Sequence, residues 1–222
     1  MNNQDFYFKH LYPFQDRILN LIKQVDTNFY LTGGTAASRA YLHHRFSDDL
    51  DLFVNDDDRF ELWVERLIQA LSQKDLAWRC QVLMKEQRFA RVNLATNEIQ
   101  LKIDMVNDVP ARVGSVIEDP ILGQMDTAEN ILANKVTALL DREEPKDLAD
   151  IWGFCCVMNL SLKDAIINAE SKAAGVFPAD LARLLCTATP EDWQVIRWIE
   201  FPPVETFLKQ LDDLGQQLLL LS

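Results

Sequence analysis

Apolar residues recur at helical spacing over 13–25 (PFQDRILNLIKQV), the pattern of an amphipathic helix with one buried stripe. A short apolar run, NFYLT at 28–32, leads straight into Gly33-Gly34 and predicts a strand that ends in a turn. Thr35 to about His44 then predicts a helix, and Asp49 to Val54 a strand. Residues 57–73 form a second amphipathic pattern, with Phe60, Leu62, Trp63, Leu67, Ile68 and Leu71 on or near one side. Three β-like runs follow at 75–84, 87–95 and 98–106. The last alternates cleanly, with Ile99, Leu101, Ile103 and Met105 on one face and Gln100, Lys102 and Asp104 on the other.

Residues 107–125 hold two prolines and two glycines and read as strand plus linker. From Asp126 the patterns are helical throughout: 126–142, 145–158, 161–174, 178–187, 190–199 and 203–221. No segment repeats. The expectation is an α+β chain in two parts, a sheet-bearing core at 1–120 and a helical domain at 121–222.

The 222 residues are 48% hydrophobic, enough for a substantial core. No apolar run reaches the eighteen residues of a membrane span, and the four leucines near the C-terminus are too few. The first residues, MNNQDFYFKH, lack the basic and apolar parts of a signal peptide. Cys80, Cys155, Cys156 and Cys186 show no metal-binding spacing and suit a reducing cytoplasm. The formal charge of −12 argues against a general nucleic-acid coat protein. It leaves room for a local basic patch, for which Arg79, Lys85, Arg88 and Arg91 are candidates.

The chemistry concentrates in LTGGTAASRAYLHHRFSDDLDLF, residues 31–53. Gly33, Gly34 and Thr35 at a helix start could cradle a phosphate; taken alone, an ordinary strand-to-helix turn with a threonine cap is the plainer account. Asp49 and Asp51 flank one leucine on a strand and so share a face. Two adjacent carboxylates call for a cation, and magnesium takes hard oxygen ligands. A solvated acidic turn is the plainer account, but Asp51 lies within the apolar run, where an unpaired carboxylate is costly. Aspartyl phosphatases and many glycosyltransferases place such a pair after a hydrophobic strand, whereas this pair precedes the apolar residues. Asp104, on the polar face of its strand, could add a third carboxylate.

Two helices carry misplaced charges. Lys135 falls between Ile131 and Leu139 in the apolar arc of 126–142, with Arg142 beside it, and Asp147 and Asp150 share a face with Phe154 and Val157 on the next helix. Either these groups form an internal salt-bridge network, or Lys135 points at a triphosphate and Asp147 completes its site. His43 and His44 lack partners for zinc. Arg45 could hold Asp49 or a phosphate.

These residues resemble the motifs of the AbiEii/AbiGii-type nucleotidyltransferases, toxins of bacterial abortive-infection and toxin–antitoxin systems. The first motif is matched by Gly33, Gly34, Thr35, Ala40, Tyr41, His44, Arg45, Ser47, Asp49 and Asp51, the second by Asp104 in IQLKIDMV, and the later ones by Lys135, Arg142, Lys146, Asp147 and Asp150. The match spans about residues 28–152. Lys146 stands where arginine is commoner, which keeps the charge but loses the bidentate fork.

The resemblance implies a polymerase-β-like core, a mixed sheet with flanking helices, followed by a helical C-terminal half that contributes to the active-site cleft. It implies transfer of a nucleoside monophosphate from an NTP to an acceptor hydroxyl on tRNA or protein, with a cognate antitoxin as partner. On that basis Asp49, Asp51 and Asp104 would bind Mg2+, with Mn2+ as the alternative ion. Asp104 would also activate the acceptor hydroxyl. Lys135 and Asp147 join them as catalytic residues, and Gly33, Gly34, Thr35, Arg45, Ser47, Lys135 and Arg142 would contact the nucleotide. The competing expectation is a catalytically silent protein of the same fold that acts by binding a partner.

Overall fold

Leu50, Leu52 and Val54 are buried along β2 (Leu50–Asn55), while Asp51, Phe53 and Asn55 between them are half-buried. This alternation gives the sheet one apolar and one polar face. The same division runs along β4 (Phe89–Ala95) and β5 (Gln100–Asp108), where Ala90, Val92, Leu94, Leu101, Ile103 and Met105 are fully enclosed. The computed structural model describes residues 3–73 and 77–220. The first two residues of the predicted run 75–84, and residue 221 of the predicted last helix, lie outside the described residues.

The chain divides into two compact units, and the division is not a single cut. Unit 1 comprises Met1–Ala36, Ser47–Pro110 and Ser115–Asp126; unit 2 comprises Ala37–Phe46, Ala111–Gly114 and Thr127–Ser222.

Unit 1 carries a seven-stranded mixed sheet in the order β3-β4-β5-β2-β1-β7-β6. Its remaining strands are β1 (Tyr30–Thr32), β3 (Arg79–Lys85), β6 (Ile117–Asp119) and β7 (Gly123–Met125). β2 pairs parallel with β5 and β1 parallel with β7, and the other pairings are antiparallel. Helices α1 (Asn3–Phe6), α2 (Tyr12–Ile22), α3 (Gly33–Ala36) and α4 (Phe60–Leu71) complete the unit. A π turn, Tyr7–Leu11, joins α1 to α2. The apolar periodicity beginning at 13 gives no hint of α1, whose continuation is anchored by buried Tyr7 and Leu11.

Unit 2 is helical: α5 (Ala128–Arg142), α6 (Pro145–Trp152), α7 (Leu162–Glu170), α8 (Pro178–Cys186), α9 (Pro190–Val195) and α10 (Val204–Leu219), with π turns at Ala37–Leu42 and Gly153–Val157. α5 starts two residues later than its pattern predicts because Thr127 caps it, the side chain accepting from the Asn130 N–H. α8 and α10 cross closely at Gly215, where a Cβ would lie 2.9 Å from the Ala182 carbonyl oxygen. The predicted helix 190–199 stops at Val195. Ile196 turns extended, Phe46 N–H donates to Arg197 O at 2.7 Å, and Ile199 N–H to His44 O at 2.8 Å. Tertiary pairing with 44–46 thus overrides local helical periodicity. Among the described residues no helix is long and apolar enough to cross a membrane.

Candidate active site

The polar face of the sheet in unit 1 carries one row of chemistry across four strands. Thr32 of β1 stands in register with Asp51 of β2, Asp51 with Asp104 of β5, and Asp104 with Arg91 of β4. Neighbouring strands lie about 4.8 Å apart, so Asp51 and Asp104 are side by side, and Asp49 precedes Asp51 by one pleat on the same face.

Cations answer these carboxylates. Arg91 grips Asp104 as a bidentate fork, Nε to Oδ1 at 2.6 Å and Nη2 to Oδ2 at 2.7 Å. Lys102 pairs with Asp49 at 2.7 Å. The hydrogen bond to Asp104, with the charges of Asp104, Asp49 and Asp51, holds the Arg91 guanidinium even more firmly protonated than usual. Burial works against the Lys102 charge, but the hydrogen bond to Asp49 and the charges of Asp49 and Asp104 outweigh it and raise its pKa.

The glycine turn abuts this row. Gly33 has φ +65°, and a Cβ there would lie 2.1 Å from Asp51 Oδ2; only glycine meets both conditions. Gly34 and Thr35 follow, both buried at the start of α3. The Thr35 hydroxyl lies 2.5 Å from the Asp49 carbonyl and 3.0 Å from Ser47 Oγ, tying the helix start to the segment that carries the carboxylates. Further ties come from α2 and the turn that precedes it. Gln15 Nε2 donates to the carbonyls of Ser47 and Asp48, the Tyr7 hydroxyl to Asp48 Oδ1, and the Ser47 N–H to the Tyr12 oxygen. Gln15 is missed by reading the sequence, though a glutamine on the buried stripe of Phe14, Ile18 and Ile22 is the trace it leaves. Thr32 and the fully buried Asp126 are missed as well, joined by a 2.8 Å hydrogen bond at the end of β1. Asp126 reads as the first residue of a helix and gives no sign of its tertiary partner.

The misplaced charges of the helices assemble within unit 2. Lys135 is 5% exposed and Asp147 and Asp150 are 0% exposed. The Lys135 ammonium reaches Asp147 Oδ1 at 2.9 Å and Asp150 Oδ2 at 2.7 Å. Arg45 forks onto Asp150 with two contacts of 2.7 Å, and Arg142 onto Asp147 at 2.8 and 2.9 Å. His44 Nε2 lies 3.0 Å from Asp150 Oδ1. Burial alone would raise both carboxyls, but Arg45, Lys135 and His44 hold Asp150 well below its ordinary value, and Lys135 and Arg142 lower Asp147. Burial opposes the Lys135 charge too, yet Asp150 and Asp147 raise its pKa. Arg142 also reaches Glu144 Oε2 at 3.8 Å, at the exposed edge of the cluster. Lys146 lies outside it, paired with Glu144 at 2.6 Å.

Burial lowers His44 below its ordinary value of 6.5 in spite of Asp150. Because Asp150 is ionised, Nε2 must carry the imidazole proton, and the buried Nδ1 has no hydrogen-bond partner. A second proton would enter beside Arg45 and Lys135. The folded state therefore favours neutral His44, and its contribution is complete above the unfolded pKa and lost as pH falls through the folded one. Chemical unfolding at about pH 7.5 and about pH 5.5 should show a stability loss on acidification that is smaller in His44→Gln. Equal losses in the two proteins would exclude this account.

The three carboxylates of unit 1 fit a divalent cation in donor chemistry. They are hard oxygens on one sheet face, they already attract two internal cations, and the missing side chain of Gly33 makes room for the Asp51 carboxylate itself. Among the described residues no three acidic, imidazole or thiol groups converge on one point as they stand; Asp49 and Asp104 are engaged by Lys102 and Arg91.

Comparison with known proteins gives the family and the fold. The family model described as nucleotidyl transferase AbiEii toxin, type IV TA system, matches residues 17–194. No curated protein sequence matches the chain. A crystal structure of a protein from H. pylori assigned as a nucleotidyltransferase superposes with a TM-score of 0.63 at 18% identity, covering 98% of this chain and 96% of that one. JHP933 from Helicobacter pylori gives 0.62 at 19% identity, covering 98% and 93%. At these identities the structural matches speak for the fold, whereas the family match spans most of the sequence. The chain belongs to the AbiEii family of nucleotidyltransferase toxins.

Proposed function

We propose that this nucleotidyltransferase moves a nucleoside monophosphate from an NTP to the hydroxyl of a tRNA or protein acceptor. It would act in the cytoplasm, in a Mg2+-dependent reaction and under the control of a cognate antitoxin. The observation that carries the chemistry is the register of Asp51 with Asp104, with Asp49 on the same face and the Gly33 turn against Asp51.

The acceptor oxygen attacks the α-phosphorus, the bond to the bridging oxygen breaks, and pyrophosphate leaves with the electron pair. Asp104, fixed in orientation by the Arg91 fork, takes the hydroxyl proton. Gly33 and Gly34 bring backbone close to the phosphates, while Thr35 and Ser47 hold the carboxylate segment in place. Mg2+, or Mn2+ in its place, would be held by Asp49, Asp51 and Asp104 and would neutralise charge on the phosphates. From the family motifs we assign Lys135, Asp147, Arg45 and Arg142 to the reaction as well, with the three cations suited to an anionic substrate.

The deciding experiment incubates the protein with each of the four labelled NTPs, total tRNA and lysate protein. Label in the tRNA band or in a protein band identifies the acceptor, and pyrophosphate must appear in equal amount. Absence of label from every fraction with every nucleotide would overturn the proposal.

A further inference from the structure

The cations on the sheet face differ in kind, and the difference has a consequence for metal binding. Arg91 meets Asp104 with a planar fork, and its guanidinium also lies over an aromatic ring, 5.2 Å from the Phe89 centroid. Each Asp104 oxygen spends one lone pair on the fork and keeps another, so Arg91 can stay while Asp104 accepts a further ligand. A fork of this kind orients a ligand rather than displacing one.

Lys102 is a compact point charge on a flexible four-carbon stem, and it makes a 2.7 Å ion pair with Asp49 Oδ2. Its position follows from the pleat. Lys102 precedes Asp104 by two residues on β5 and shares its face, and the pairing of Leu50 with Ile103 sets Asp49 beside it. Both side chains are 36% exposed, so the ammonium can swing into solvent at small cost. A second cation on Asp49 would be repelled by the ammonium there.

We propose that Lys102 is a built-in counter-cation that occupies Asp49 and must yield it when a divalent ion binds the carboxylate row, so that this residue sets the metal concentration the site requires. The proposal rests on the metal-dependent reading above. Lys102 keeps three adjacent carboxylates from repelling one another in the ion-free chain, at the cost of weaker metal binding. Arg91 carries the opposite sign of effect, because it holds Asp104 in the orientation the ion needs.

The test is a Mn2+ titration of the full chain without nucleotide, with free Mn2+ read by electron paramagnetic resonance. Lys102→Met should bind Mn2+ about tenfold more tightly than the natural chain, the effect of removing one competing charge. Lys102→Gln should do the same, which guards against a folding defect peculiar to methionine. Arg91→Met should bind no more tightly than the natural chain. Unchanged or weaker Mn2+ binding in both Lys102 variants would overturn the proposal while leaving the metal site standing. If Asp51→Asn leaves Mn2+ binding unaltered, the ion is not on these carboxylates, and the metal-dependent reading fails together with the inference.

Discussion

Asp51→Asn abolishes nucleotidyl transfer and leaves the chain folded: that is the expected result at the centre of the carboxylate row. Asp51 stands in register between Thr32 and Asp104, with its side chain against Gly33. Asparagine preserves the shape that the Gly33 turn accommodates and removes only the charge. Stability should hold or rise slightly, since one of three neighbouring negative charges is gone. Activity should fall on the order of a thousandfold or more, the several kcal/mol that charge stabilisation contributes to phosphoryl chemistry. Pyrophosphate release and thermal unfolding, measured on the same preparation, separate the two effects. Turnover at the rate of the natural chain would remove Asp51 from the reaction.

The largest effect on stability is expected at Asp150. Its carboxylate is fully buried and receives Arg45 through two contacts, Lys135 through one and His44 through one. Asp150→Asn leaves two buried cations short of a counter-charge, and breaking a buried pair in this way costs about 3–5 kcal/mol. For a chain of this length the thermal midpoint should fall on the order of 10 °C. Asp5→Asn is the control: its pair with Lys9 is exposed on both sides, and its loss should change stability by less than about 0.5 kcal/mol. Comparable shifts in the two variants would mean that the buried network carries no special weight.

Much of the fold is legible in the sequence because the sheet has one wet and one dry face. The alternation in EIQLKIDMV announces β5 and sorts Asp104 from Ile103 without any tertiary information. The stripes of α2 and α4 are visible for the same reason. Where local pattern and long-range pairing disagree, the sequence misleads, as at Ile196–Ile199, which leaves the helix and hydrogen-bonds to His44 and Phe46. The division into units is likewise hidden. Residues 37–46 lie between segments of unit 1 in the sequence yet pack in unit 2, so a single boundary near 120 does not describe it.

Lys135, Asp147 and Asp150 stand out in the sequence because charges on an apolar helical stripe need partners wherever they are buried. Periodicity alone shows that they must be neutralised. It does not show by what, because an internal counter-charge and a bound anion leave the same helical pattern.

The sequence by itself determined the strand alternation, the amphipathic helices, the Asp-Leu-Asp pair on one face and the glycine turn, since each depends on contacts within a few residues or on the period of one element. Only the tertiary structure decided that Asp51 aligns with Asp104, that Arg91 and Lys102 take up the carboxylates, that Gln15 and Tyr7 hold the carboxylate segment, and that Arg45 and Lys135 meet on Asp150. These partners lie between 13 and 105 positions apart in the chain, and pairings at such separations are selected by sheet register and helix packing, which local sequence does not encode.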